Sequence, residues 1–235
     1  MILGVLQARM SSSRLPGKVL RPLAGAPMIL RIVERVTRSR ELDEFVVVTS
    51  TDATDDPLVD VLVDAGIAVR RGSLDDVLSR FLAVVEEYAP SVVVRLTGDN
   101  PLVDPEVIDL VVREHVASGA DYSSNSLVRT FPRGLDVEAV SPDALRSLAE
   151  RTLRAEEREH VTIGVYQRPE EFRVHAVTQP EDHSELRWTV DYPQDFVFAE
   201  AIYDRLFDAD PQFGQAEVLA LLSREPDLRR TDADV

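Results

Sequence analysis

Short, unbroken apolar runs alternate along the chain with longer stretches of helical periodicity. Residues 2–6 (ILGVL), 45–49 (FVVVT), 67–70 and 91–96 (SVVVRL) read as strands buried on both faces. Helical patterns lie between them. Met28, Ile29, Ile32, Val33 and Val36 recur at helical spacing behind Pro27. Leu58, Val61, Leu62 and Ala65 follow Asp56 and Pro57 and stop at Gly66. Val77, Leu78, Phe81, Leu82, Val84 and Val85 form the apolar side of a helix over 75–88. Asp104 and Pro105 have the N-cap and first-turn character of a helix reaching Ala117. Strands and helices alternating at this spacing predict the doubly wound α/β class, a mostly parallel sheet with helices on both faces.

The rhythm changes near Asp121. Residues 134–140 and 172–177 read as strands, separated by helical stretches at 142–151 and 155 to about 164. This section, about 121–180, is expected to be a small α+β insertion covering the open end of the sheet. Residues 188–190 return to strand character, 193–207 to helix, and 229–235 read as a loose polar tail. The whole chain, 1–235, is expected to form a single domain, an ordinary size for one.

Composition narrows the chemistry. Hydrophobic residues make up 44% and charged residues 29%, the balance of a soluble protein with a sizeable core. Cysteine is absent, which excludes disulfides, zinc–thiolate sites and cysteine nucleophiles. No apolar stretch approaches the ~18 residues of a membrane span. Residues 1–10 lack the pattern of a signal peptide, so a cytoplasmic location is expected. The formal charge of −16 argues against a nucleic-acid partner. That charge is uneven. Residues 1–40 carry +7 and the remaining 195 carry −23. A basic segment in an acidic chain points to an anionic ligand near the N-terminus. Arg31, Arg35, Arg38 and Arg40 fit an amphipathic helix, whereas Arg9, Arg14 and Lys18 fall in a loop. Lys18 is the only lysine.

In an open α/β sheet, ligands bind beyond the carboxyl ends of the strands. Three segments leave such ends. The first, ARMSSSRLPGK (8–18), offers two guanidiniums, an ammonium, hydroxyls and a glycine, equipment for several phosphate oxygens. It is not a Walker loop, which requires Gly where Ser12 stands and Ser or Thr where Val19 stands. In the second, RLTGDNPLVDP (95–105), Asp104 is placed to cap the next helix. Asp99 is thus left free for a hard cation such as Mg²⁺. In the third, RWTVDYPQDF (187–196), a helix opening at Pro193 puts Asp191 one residue out of register for capping, a second candidate metal ligand. Phosphoryl and nucleotidyl transfer depend mainly on positioning and charge stabilisation, which these groups can supply.

The first loop resembles the signature AR-x-x-S-x-R-L-P-G-K of the cytidylyltransferases that activate acidic sugars, such as the CMP-sialic acid and CMP-3-deoxy-manno-octulosonate synthetases. Arg9, Ser12, Arg14, Leu15, Pro16, Gly17 and Lys18 all match. GLDVEAVS (134–141), EREHVT (157–162) and SELRWTVDYPQDF (184–196) resemble the subgroup named after spore coat polysaccharide biosynthesis protein F, and the likeness runs from about residue 1 to 207. The resemblance implies a Rossmann-like nucleotidyltransferase fold, similar to the GT-A fold. It implies a Mg²⁺-dependent enzyme that transfers CMP from CTP to an acidic sugar or related acceptor, releasing pyrophosphate. Arg9, Ser12, Arg14, Gly17 and Lys18 would hold the triphosphate, and Asp99 and Asp191 the Mg²⁺. Thr49, Asp76 and Arg80 would lie by the nucleoside. Asp136 and Glu138 would face the acceptor, with His160 and His183, which fall in or beside resembling stretches, as further substrate-binding candidates. A homodimer joined through 121–180 is also implied. Two other functions remain open at this level: a nucleotide-sugar-dependent glycosyltransferase on a similar sheet, and a non-catalytic nucleotide-binding protein.

Overall fold

The structure is a computed structural model and describes residues 1–151 and 153–234. The first half follows the predicted alternation: β1 (Ile2–Gln7), β2 (Pro22–Leu23), β3 (Ala26–Pro27), α1 (Met28–Val36), β4 (Glu44–Ser50), α2 (Asp56–Asp64), β5 (Val69–Gly72), α3 (Val77–Tyr88), β6 (Val92–Thr97) and α4 (Pro105–Ser118). The second half holds β7 (Tyr122–Ser124), β8 (Glu138–Val140), α5 (Pro142–Ala149), α6 (Ala155–Glu159), α7 (Ile163–Tyr166), β9 (Val174–Ala176), α8 (Pro193–Leu206) and α9 (Gln215–Arg224).

Seven strands form one sheet in the order β5-β4-β1-β6-β8-β7-β9. The β5-β4-β1-β6 half is parallel throughout, β8 runs antiparallel to both its neighbours, and β7 pairs parallel with β9. The small β2–β3 hairpin stands apart.

Strand alternation divides the core. Leu3, Val5, Val46, Val48 and Val93 pack on one face with Phe81, Val84 and Val85 of α3 and Leu145 and Leu148 of α5. Leu6, Val47, Val94 and Leu96 pack on the other with α1, α2, α4, α8 and α9, around Ile29, Ile32, Leu58, Ile108, Trp188 and Ile202. Both faces are covered, so the central strands are apolar on both sides. Among the described residues no helix is long and apolar enough to cross a membrane.

Several elements differ from the sequence expectation. The strand read at 67–70 forms two residues later. Residues 188–190 do not join the sheet. The Trp188 and Thr189 N–H groups donate to the Arg133 carbonyl and that of Val190 to the Asp99 carbonyl, satisfying this extended segment outside any ladder. The helix expected from 155 to about 164 breaks into α6 and α7 at Val161. That residue lies in the left-handed region (φ 52°), an unusual place for a β-branched residue. The tail is not loose through Asp234. Arg230 bonds Asp195 at 2.9 Å, and Asp232 pairs with Arg133 at 3.0 Å and Arg187 at 3.1 Å; Val235 lies outside the described residues. The strand β7 and the helix α9 have no counterpart in the expectation. Tyr122, Ser123 and Ser124 are too short and too polar a run to show a strand period, whereas Gly214 followed by Val218, Leu221 and Leu222 carries a helical signal.

Candidate active site

The carboxyl ends of β1 and β6 and the segment before α8 meet in a cleft of about 360 Å³. The loop after β1 is built to hold a fixed shape. Gly17 takes φ 70°, a left-handed turn that glycine adopts without strain, and its N–H closes the loop on the Met10 carbonyl at 2.9 Å. Ser12 Oγ accepts the Leu15 N–H at 3.3 Å. The other end is tied down by the fully buried Asp55, which accepts the Met10 N–H at 2.7 Å, the Thr49 hydroxyl at 2.9 Å and both donors of Ser50. Gly98 permits the β6 loop to approach β1, since a Cβ there would lie 2.8 Å from the Ala8 Cβ.

Lys18 is the centre of the arrangement. It is buried, and its ammonium donates to the Val190 carbonyl at 2.6 Å and to Asp191 Oδ1 at 3.2 Å, with Asp99 Oδ2 at 3.6 Å. Two carboxylates from distant parts of the chain therefore converge on one cation, which relieves their mutual repulsion. Asp104 caps α4 by accepting the Glu106 N–H at 2.8 Å, and Tyr192 is the N-cap of α8, so neither Asp99 nor Asp191 is taken up by capping. Asp99 Oδ1 accepts the Thr97 hydroxyl at 2.6 Å. Arg14 reaches Asp191 Oδ1 at 3.3 Å and lies over the Tyr192 ring with 5.0 Å to its centroid. Its Nη1 donates to the Tyr192 hydroxyl at 3.4 Å, and that bond, outweighing partial desolvation, raises its pKa.

Arg9, Ser12, Arg14, Lys18, Arg80, Asp99, His160 and Asp191 all line this cleft. Arg80 is buried beneath it, held by one bond to the Leu74 carbonyl at 3.0 Å, with its Nε unpaired. Burial lowers its pKa. On the far rim Glu159 of α6 pairs with Arg9 at 3.4 Å.

Five candidates lie elsewhere. Thr49 is buried and holds Asp55, so it acts on the loop and not on the cleft directly. Asp76 caps α3 through the Ser79 N–H at 3.0 Å and pairs with Arg158 at 2.7 Å. Asp136 pairs with Arg129 at 2.5 Å, yet its burial raises its pKa. Glu138 sits behind the cleft, bound by Arg95 and the Thr162 hydroxyl. His183 lies in a separate, larger groove beside Phe131 and Glu181, away from the loop after β1. Its sequence neighbourhood pointed to the site, but the 177–186 segment runs past it.

Arg95 was missed. It stands in the middle of β6, buried, with Nε donating to Gln7 Oε1 at 3.0 Å and Nη1 to Glu138, and it lines the cleft. The signal was present: one guanidinium inside an apolar strand must find anionic partners. With Arg95 the cleft is lined by five basic side chains, Arg9, Arg14, Lys18, Arg80 and Arg95, and three acidic ones, Asp99, Asp191 and Glu159, with Glu138 behind Arg95. Such a surplus in a chain of charge −16 suits an anion of several charges.

Among the described residues no group of three or more His, Cys, Asp or Glu side chains is placed to hold a metal by itself. Asp99 and Asp191 offer two hard carboxylates. This donor set fits a divalent cation that completes its shell with phosphate oxygens and water, as Mg²⁺ does.

Comparison with known proteins is consistent with this geometry. A family model described as Cytidylyltransferase matches residues 3–216. The spore coat polysaccharide biosynthesis protein SpsF of Bacillus subtilis (strain 168) is 37% identical over 233 residues, covering 96% of this chain and 95% of that protein. A cytidylyltransferase structure from Leptospira borgpetersenii serovar Hardjo-bovis superposes with TM-score 0.91 at 28% identity, covering 97% of this chain and 95% of that one. The structure of CMP:2-keto-3-deoxy-manno-octonic acid synthetase complexed with CTP shares the fold at TM-score 0.63 and 17% identity, covering 87% of this chain and 98% of that one.

Proposed function

Since the chain belongs to the cytidylyltransferase family and is a nucleotidyltransferase, we propose that it transfers CMP from CTP to an acidic sugar or related acceptor, with release of pyrophosphate, in polysaccharide or glycan biosynthesis. The observation that carries this reading is the convergence of Asp99 and Asp191 on Lys18 beside the Arg9–Arg14 loop.

An acceptor oxygen attacks the α-phosphorus in line, forming the new O–P bond as the bond to the bridging oxygen of pyrophosphate breaks. Arg14 and Lys18 stabilise charge on the triphosphate and then on the leaving pyrophosphate. Arg9 and Ser12 line the same loop and hold its outer phosphates. Asp99 and Asp191 would hold Mg²⁺, which when bound would supply positive charge to offset that of the phosphates. Arg80 lies by the nucleoside. Arg95 and His160 line the acceptor end, and Glu138 sets the direction of Arg95. Residues 121–180 belong to the same unit as the rest of the chain, cover the cleft through α6 and form the contact of a homodimer.

Thermal unfolding with CTP, UTP, GTP and ATP, each with and without Mg²⁺, tests the reading. At about 100 times its Kd a ligand adds about 2.7 kcal/mol. The expected result is a Mg²⁺-dependent rise in Tm confined to CTP, followed by pyrophosphate release with an acidic sugar. A rise with other nucleotides and none with CTP would overturn the assignment.

A further inference from the structure

We propose that Arg187 is a positioning residue for Asp191, and that the segment carrying Arg230 and Asp232 is a working part of the same site. The two oxygens of Asp191 have different partners. Oδ1 faces the cleft, 3.2 Å from Lys18 and 3.3 Å from Arg14, while Oδ2 accepts from Arg187 Nη2 at 3.1 Å. Arg187 does not line the cleft, and its side chain is 7% exposed. Its remaining donors go to Asp195 at 3.2 and 3.1 Å and to Asp232 Oδ1 at 3.1 Å.

Asp195, with 1% of its side chain exposed, ties the assembly together. It accepts the backbone N–H groups of Asp191 and Tyr192, both at 2.9 Å, and Arg230 Nε at 2.9 Å. The backbone of Arg187 is anchored to the same segment, its N–H donating to the Arg230 carbonyl at 2.8 Å. Asp191 is therefore fixed twice, at its N–H and at the oxygen turned away from the cleft. A carboxylate on a single bond rotates freely, and one N–H from a guanidinium whose own plane is fixed by two bonds to Asp195 restrains that rotation. The other oxygen is then aimed at the cleft before any ligand arrives. Arg230 and Asp232 share the balance of charge around the buried fork, so removing either one redirects Arg187 and loosens Asp191.

This inference rests on Asp191 being a ligand of the divalent cation. The test uses the full chain and Mn²⁺ as the probe, with free Mn²⁺ measured by electron paramagnetic resonance in the presence of a non-hydrolysable CTP analogue. Binding of CTP without metal is measured in parallel by calorimetry. The variants are Asp191→Asn, Arg187→Lys, Arg230→Met and Asp232→Asn. Losing an outer partner of a metal ligand weakens metal affinity by about 10–100-fold. Arg230→Met and Asp232→Asn are expected to weaken Mn²⁺ by about 10-fold and leave metal-free CTP binding unchanged. Arg187→Lys, which keeps the charge and loses the fork, is expected to weaken it as well. Wild-type Mn²⁺ affinity in folded Arg230→Met and Asp232→Asn, with Asp191→Asn weakened, overturns the positioning role and leaves the ligand reading intact. Wild-type affinity in Asp191→Asn overturns both. Asp232, 49% exposed in its side chain, keeps the test open if changes at the buried fork prevent folding.

Discussion

Lys18 shows how one residue type decides a site. It stands 173 positions from Asp191 in sequence, yet its ammonium lies between that carboxylate and Asp99. A compact point charge fits between two carboxylates, whereas the planar fork of arginine is too wide and too directional. Lys18→Ala is expected to remove on the order of 2–4 kcal/mol of transition-state stabilisation, seen as a fall in kcat/KM for pyrophosphate release. Lys18→Arg is expected to restore little of it; full activity in either variant would contradict the role. Thr49 makes the complementary point. It stands at the end of a strand pointing into the site, but its hydroxyl turns to Asp55 and its effect passes through the loop.

At the scale of elements, the start of α8 is organised by Asp195. Burial alone would raise its pKa, but bonds from Arg187, the Tyr192 and Asp191 N–H groups and Arg230 outweigh it and bring it to about 2. A folded pKa below the unfolded value of about 3.9 gives stability that is complete above that pH and lost as pH falls through about 2. Asp195→Asn is therefore expected to cost on the order of 2 kcal/mol at pH 7, with the gap to wild type closing towards pH 2. Urea unfolding at pH 7 and pH 3 measures this, and an equal gap at both values would refute it. Glu157 behaves likewise in α6. Its carboxylate accepts the Arg154 N–H and pairs with Arg168 and Arg154, and its pKa falls to about 2. The break after α6 had no local signature, because Val161 is held at positive φ where Thr162 turns its hydroxyl to Glu138.

In the whole molecule, the sheet separates two apolar layers and supports the cleft at its carboxyl edge. The α3 side is the smaller layer, with Phe81 fully buried against β1 and β4 residues. Phe81→Ala is expected to cost about 3–5 kcal/mol through lost burial and the cavity left behind. For a chain of this length that lowers Tm by on the order of 10 °C, measurable by calorimetry. Phe81 does not line the cleft, so CTP binding is expected to persist at temperatures where the variant stays folded.

The sequence by itself determined the alternating first half, the caps at Asp104 and Tyr192, and the three segments at strand ends. Each of these is written in local spacing, in capping residues or in the periods of helix and strand. Only the tertiary structure decided which side chains reach the cleft. It brought in Arg95, turned Thr49 and Asp76 to structural work, and carried His183 into another groove. It also kept residues 188–190 out of the sheet and drew Arg230 and Asp232 beneath Asp191. These outcomes depend on contacts such as Arg187–Asp232, 45 residues apart, and Lys18–Asp191, 173 apart. Such pairs leave no periodic trace in the chain, because packing and charge balance set them only once the sheet has assembled.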